Sequence, residues 1–181
     1  MIIDDLLSKS HMKLLQDTFV DTPIDYWTYL VDTSGRETDG DPYTESFAFC
    51  PFWDELGGVQ LQGIYQFLVV PLLVALDERD QELVQLHRIR VGMLTRTPHQ
   101  VIHQKHIDMP QAIDKKKTRT GLFYLNDSDG PTRTYDGDKV VQEIEPVANR
   151  WFDMDGDVYH ASSTPTQNRN RLVVNYNYTI K

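Results

Sequence analysis

Three side chains set the chemistry open to this chain: His106 and Asp108, two apart in His106-Ile107-Asp108, and His160 far downstream. In an extended strand, residues two apart project to the same face. His106 and Asp108 can therefore offer an imidazole nitrogen and a carboxylate oxygen to one cation. His160 follows the turn-forming stretch Asp153 to Asp157 and precedes the last extended segment, so a second strand can present it to the same space. Two imidazoles and one carboxylate on one face of an octahedron leave three positions open, the donor set typical of non-haem iron(II) centres.

Other readings of these residues stay open. A lone H-x-D is common, and His99 and His103 lie close to His106, so another metal, or none, is compatible with the pattern. A structural zinc site fits less well, because such sites are four-coordinate and rich in cysteine, and Cys50 is the only cysteine. The stretch Asp153-Met154-Asp155-Gly156-Asp157 has the acidic spacing of a calcium loop. It lacks the glycine and terminal glutamate of one, and reads as a turn.

Beyond His160 come Arg169 and Arg171, in parity with Val173, Asn175 and Asn177. Leu172, Val174, Tyr176 and Tyr178 occupy the opposite parity. The apolar face is expected to pack against helices or a second sheet. The polar face either lines a polar cavity or is the solvent side of an edge strand. An arginine in such a cavity suits a carboxylate ligand, because its planar fork pairs bidentately and stays charged.

These side chains need a scaffold of strands. Leu83–Thr95, Val101–Ile107, Thr120–Leu125, Lys139–Ile144, Val147–Phe152 and Arg171–Ile180 are expected to be strands, separated by turns such as Asn126 to Gly130. The first 80 or so residues read as helices and loops. Asp4 can cap a helix carrying Leu6, Leu7, Met12, Leu14 and Leu15, and residues 31–45 read as a loop. The aromatics Tyr43, Phe47, Phe49, Phe52 and Trp53 read as anchors of that long loop rather than a cover over a cavity mouth. The apolar run Val59–Leu76 reads as one buried helix kinked near Pro71. The fold class is therefore mainly β with flanking helices, a sandwich or closed barrel with the helices packed outside.

The 181 residues suit one domain, and 40% apolar content is enough for a core. The formal charge of −9 makes nucleic acid a poor partner, and only Lys115 to Lys117 form a basic cluster. The apolar stretch Ile64 to Leu76 falls short of the roughly 20 residues that span a bilayer, so no membrane partner is expected. The acidic start and lone cysteine point to a reducing cytoplasm.

Taken together, H-I-D, G-L-F-Y-L-N-D at 121–127, E-P-V-A-N-R-W at 145–151 and H-A-S-S-T-P-T-Q-N-R-N-R-L-V-V-N at 160–175 resemble the iron(II)/2-oxoglutarate-dependent oxygenases, in particular their prolyl-hydroxylase-like branch. The resemblance covers roughly residues 83–180. It implies a double-stranded β-helix (jelly roll) with N-terminal helices packed on one sheet. It implies Fe(II) as metal, 2-oxoglutarate as cosubstrate and dioxygen as oxidant, with His106, Asp108 and His160 as ligands. The implied reaction hydroxylates a C–H bond of a peptide or small-molecule substrate, a prolyl residue in a peptide or a free amino acid foremost, and releases succinate and CO2. Tyr124 matches a tyrosine that in some relatives bonds the distal cosubstrate carboxylate. Arg169 and Arg171 both fall where relatives carry the basic cosubstrate residue, and Arg171, directly before the apolar strand, is favoured. Arg150 is expected to be structural. Pro131-Thr132-Arg133-Thr134 departs from the Gly-Gly-Glu-Thr of many relatives, which leaves the substrate side open. A cupin-like metalloenzyme without 2-oxoglutarate, or a non-catalytic jelly-roll binding protein, would share much of this pattern.

Overall fold

Strict alternation along the last segment of the chain builds the central strand of the molecule. The structure is a computed structural model in which residues 1–21, 26–31, 43–110 and 117–181 are described. Along these the order is β1 (Ile2–Ile3), α1 (Lys9–Phe19), β2 (Thr28–Leu30), β3 (Ser46–Trp53), β4 (Gly58–Val59), α2 (Gln62–Leu68), α3 (Val70–Asp77), β5 (Leu83–Thr95), β6 (Thr118–Tyr124), β7 (Thr132–Asp136), β8 (Lys139–Ile144), β9 (Trp151–Asp155), β10 (Tyr159–Ala161) and β11 (Asn170–Ile180). The major sheet runs β1-β9-β6-β11-β5-β3-β2, with β4 also paired to β3, and the minor sheet runs β10-β7-β8. Neighbouring strands are antiparallel throughout, in the manner of a jelly roll.

The two parities of β11 separate two environments. Leu172, Val174, Tyr176 and Tyr178 join Leu68, Leu72 and Leu76 of the helices and Met12, Leu15 and Phe19 of α1 in the main core. The other parity faces the minor sheet, where Leu122, Tyr124, Ile144, Phe152 and Met154 make a smaller core. Gly121 permits the tight seam between β6 and β9. A Cβ there would lie 2.4 Å from the Trp151 ring, so only glycine fits. Among the described residues no helix is long and apolar enough to cross a membrane.

Several elements differ from the sequence reading. The N-cap of α1 is Ser8, whose hydroxyl accepts from His11 N–H, rather than Asp4. The run Val59–Leu76 is not one kinked helix but α2 and α3 joined at Val69, with Pro71 in the first turn of α3. A proline there has no N–H to donate back into α2, and a helix start tolerates that loss. The aromatic segment read as a loop contains β3, paired with β2 and β5. Residues 32–42 of the expected loop, and Lys115 and Lys116, lie outside the described residues.

Val101–Ile107 is not a strand. Beside side-chain bonds to Thr164 and Ser162, its pairing with 160–164 among the described residues is limited to the isolated bridges Ile102–Ser163 and His106–His160. Between them this stretch uses one residue more than the partner, and the ladder cannot continue across the surplus. The strand expected from Val147 begins instead at Trp151. A turn precedes it, with Asn149 at φ 67. The Asn149 amide accepts from Leu7 N–H and donates to the Leu7 carbonyl, tying down the segment before α1. Strands β7 and β10 had no expected counterpart; their residues mix polar and aromatic types without clean alternation.

Candidate metal centre

His106 and His160 face one another across the isolated bridge, each donating its backbone N–H to the other's carbonyl at 2.9 and 3.0 Å. Their rings sit with centroids 4.7 Å apart. Asp108 lies at a bend two residues on, so the same-face rule for strands is not what aims it. The donor atoms of His106, Asp108 and His160 nonetheless all lie within 4.8 Å of one another. Nε2 of His106 is 3.7 Å from Asp108 Oδ1, and Nε2 of His160 is 3.6 Å from Oδ2.

Each imidazole is oriented by its own backbone. Nδ1 of His106 faces the Gln104 carbonyl at 3.1 Å, and Nδ1 of His160 faces the Val158 carbonyl at 3.2 Å. A carbonyl only accepts, so each Nδ1 carries the proton and each Nε2 turns a lone pair to the centre. This is the orientation that ligating histidines need.

Asp108 is held by a set of donors that sequence reasoning did not assign. Its Oδ2 accepts from Asn175 Nδ2 at 2.9 Å, Asn177 Nδ2 at 3.2 Å and Thr120 Oγ1 at 3.3 Å. Its Oδ1 accepts from Arg88 Nη2 at 3.3 Å. Arg88 also donates to Asn177 Oδ1 and lies over the Trp53 ring. The available signal was the polar parity of β11 together with Arg88 on β5. Burial works against the Asp108 charge, but His160, His106 and Arg88 outweigh it and hold the carboxyl well below its usual range. Burial likewise opposes charge on the imidazoles. The attraction of Asp108 overcomes it in His106 and raises the pKa, whereas burial prevails in His160 and lowers it.

The triad opens into a cavity between the two sheets, with Thr132, Arg171 and Val173 on its walls. Arg171 is 2% exposed. Its Nε donates to the Gly130 carbonyl at 2.8 Å and its Nη2 to Thr132 Oγ1 at 2.7 Å. Thr132 also meets the Tyr124 hydroxyl at 2.8 Å, and the guanidinium lies 5.5 Å from the Tyr124 ring centroid. Tyr124 is fully buried, and burial raises its pKa, so it stays a neutral phenol. No carboxylate among the described residues pairs with Arg171. A buried guanidinium with only neutral partners is poised for an anion.

Arg169 does not join this group. It is exposed at the entry to β11, where its carbonyl accepts the Arg96 N–H. Thr132, inside the segment that departs from relatives, takes the place beside Arg171. Arg150 pairs with Asp4 through Nε at 2.6 Å and Nη2 at 3.0 Å and does not line the cavity, though its carbonyl accepts the Tyr124 N–H. Asp153, read as part of a turn over 153–157, instead lies in β9, buried against Arg79 and Arg119, and the turn is confined to Gly156-Asp157.

Comparison with solved structures decides the architecture. A 2OG-Fe(II) oxygenase-family oxidoreductase from Burkholderia pseudomallei matches with a TM-score of 0.68 at 11% identity, over 99% of this chain and 84% of that one. The fold is that of the 2OG-Fe(II) oxygenases. A prolyl hydroxylase from Trichoplax adhaerens, in complex with a hypoxia inducible factor peptide, matches at TM-score 0.62 and 15% identity, over 99% and 82% of the two chains. The epimerase SnoN, in complex with Fe3+, alpha ketoglutarate and nogalamycin RO, matches at TM-score 0.62 and 10% identity, over 99% and 78%. No family model matches the sequence, and no curated protein does.

Proposed function

We propose that this chain is an iron(II)- and 2-oxoglutarate-dependent dioxygenase that hydroxylates a C–H bond of a peptide, such as that of a prolyl residue, or of a small molecule. The observation that carries the reading is Arg171: a buried guanidinium without an acid partner, in the same cavity as two histidines and an aspartate with converging donor atoms. The donor set fits the metal. Two imidazoles with Nε2 turned to the centre and one carboxylate suit iron(II) and leave half its coordination sphere open.

His106, Asp108 and His160 would hold the metal. Arg171 would grip the distal carboxylate of 2-oxoglutarate, steadied by Thr132 and Tyr124. When bound, the metal and cosubstrate supply the oxidising chemistry: dioxygen and 2-oxoglutarate are consumed, succinate and CO2 leave, and one C–H bond becomes C–OH. The protein orients these partners. Asn175, Asn177, Thr120 and Arg88 fix the Asp108 carboxylate, while Leu122 and Val173 wall the cavity and restrict water. We further assign it to a reducing compartment, consistent with its lone Cys50.

Anaerobic titration with iron(II) and then 2-oxoglutarate tests the reading. A weak visible charge-transfer band is expected in the wild type and absent in His160→Ala. Iron uptake without any spectral or calorimetric response to 2-oxoglutarate would instead favour a metalloenzyme of another type.

A further inference from the structure

The cavity contains a second arginine that neither the triad nor the Arg171 site uses. Arg90 on β5 lies opposite Asn175 of β11, four residues from Leu94, which lies opposite Arg171. It lines the same cavity as His106, Asp108 and His160. Arg88 is committed to Asp108 and Asn177. Arg90 makes no hydrogen bond or ion pair with any described residue, and burial and the nearby Arg88 both work against its charge. Between Arg90 and Leu94 stands Gly92, where a Cβ would meet only Val173, at 4.0 Å. The absent side chain leaves room beside the guanidinium.

Two neutral polar atoms in this cavity also have no partner among the described residues: Asn175 Oδ1 and Ser46 Oγ, the serine being 2% exposed. Asn175 cannot exchange its amide ends, because Nδ2 is fixed on Asp108. Its Oδ1 is therefore an acceptor awaiting a donor. The cavity thus offers a guanidinium fork, a hydroxyl and a fixed acceptor near the metal site, all unsatisfied.

We propose that Arg90 anchors a free carboxylate of the substrate, while Asn175 Oδ1 accepts from an amino or hydroxyl group of the same molecule. The substrate class is a small amino or hydroxy acid rather than an internal residue of a peptide. This rests on the reading of Arg171 as the cosubstrate residue. The cosubstrate's own second carboxylate is a poorer match for Arg90. It would already be neutralised by the metal, and 2-oxoglutarate has no donor for Asn175. A phosphate is also a poorer match, since a dianion beside Asn175 Oδ1 would leave that acceptor unsatisfied.

The test uses the full chain, loaded anaerobically with iron(II) and saturating 2-oxoglutarate. It is titrated calorimetrically with the common L-amino acids, with lactate and malate, and with the matching carboxamides. At least one free acid is expected to bind, and its amide roughly tenfold or more weaker, as for loss of a charge-assisted pair. Arg90→Gln should weaken that acid to a similar degree, Arg90→Lys should recover part of it, and 2-oxoglutarate affinity should stay within about twofold in both. The proposal is overturned if no free acid binds, if amides bind as well, or if Arg90→Gln weakens 2-oxoglutarate as Arg171→Gln does. Failure of the wild type to take up 2-oxoglutarate overturns the functional reading itself, a different and separable result.

Discussion

At the scale of single residues, the contrast between Arg171 and Arg169 shows what burial does to an arginine. Both are charged and two positions apart, yet only Arg171 is turned from water, with Gly130 and Thr132 setting its fork. Charge-assisted hydrogen bonds in such a place are worth about 2–3 kcal/mol, so Arg171→Gln should raise the 2-oxoglutarate Kd by roughly 30- to 150-fold. Arg171→Lys should recover only part of this, because one ammonium cannot reproduce the fork. Arg169→Gln should leave the Kd unchanged. Calorimetric titration of the metal-loaded variants checks all three, and an equal loss in Arg169→Gln would remove Arg171 from its role. The three ligand candidates and Arg171 were legible from residue type, the His-x-Asp spacing and the polar parity of the last strand. Thr132, Thr120 and Arg88 were not, since a threonine or arginine on a strand is ordinary until its neighbour across the sheets is known.

At the scale of elements, the turns between strands carry the register, and Asp129 is the clearest case. Its carboxylate accepts from the backbone N–H groups of Thr166, Gln167 and Asn168 and from the Thr166 hydroxyl, shaping the chain just before β11. Its slight burial resists ionisation, but these four donors outweigh it and hold its pKa far below the ordinary carboxylate value. A carboxyl depressed in the folded state contributes stability above its unfolded pKa, about 3.9, and loses it as pH falls toward the folded value. Asp129→Asn should therefore be destabilised relative to wild type at neutral pH, with the gap narrowing below about pH 4. Urea unfolding at several pH values measures this, and a gap that widens on acidification would contradict it. At the β6–β9 seam, Gly121→Ala should destabilise by about 1–3 kcal/mol, since the added methyl collides with Trp151. These features also explain which elements the sequence revealed. The spans of β5 and β8, and β11 to within a residue, could be read from alternation and flanking turns. The stretch 101–107 has strand-like composition, but its surplus residue against 160–163 is invisible without the partner. Pro71 signalled a break in the helical run, yet proline permits either a kink or a new helix start, and packing of α3 on the sheet selects the second.

At the scale of the whole molecule, an acidic chain encloses a basic cavity. The formal charge is −9, while among the described residues the cavity wall carries Arg90 and Arg171 against the single acid Asp108. Its charges are held without full compensation, which weakens the empty fold. Ligands that bind only the folded state return that stability by mass action, about 2.7 kcal/mol at a hundredfold excess over Kd. For a chain of this length, one kcal/mol moves Tm by roughly 2–4 °C, so each saturating ligand should raise Tm by about 5–10 °C. The rises should be ordered. A divalent metal acts through His106, Asp108 and His160 and should stabilise both the wild type and Arg171→Gln. Adding 2-oxoglutarate should give a further rise in the wild type and little in Arg171→Gln. His160→Ala should respond weakly to both, because the metal template is lost before the cosubstrate arrives. Differential scanning calorimetry of the three proteins, with zinc(II) in place of iron to avoid oxidation, separates the two steps. A full 2-oxoglutarate response in Arg171→Gln would mean that the cosubstrate's distal carboxylate is held elsewhere in the cavity, and Arg90 would then be the cation left to hold it.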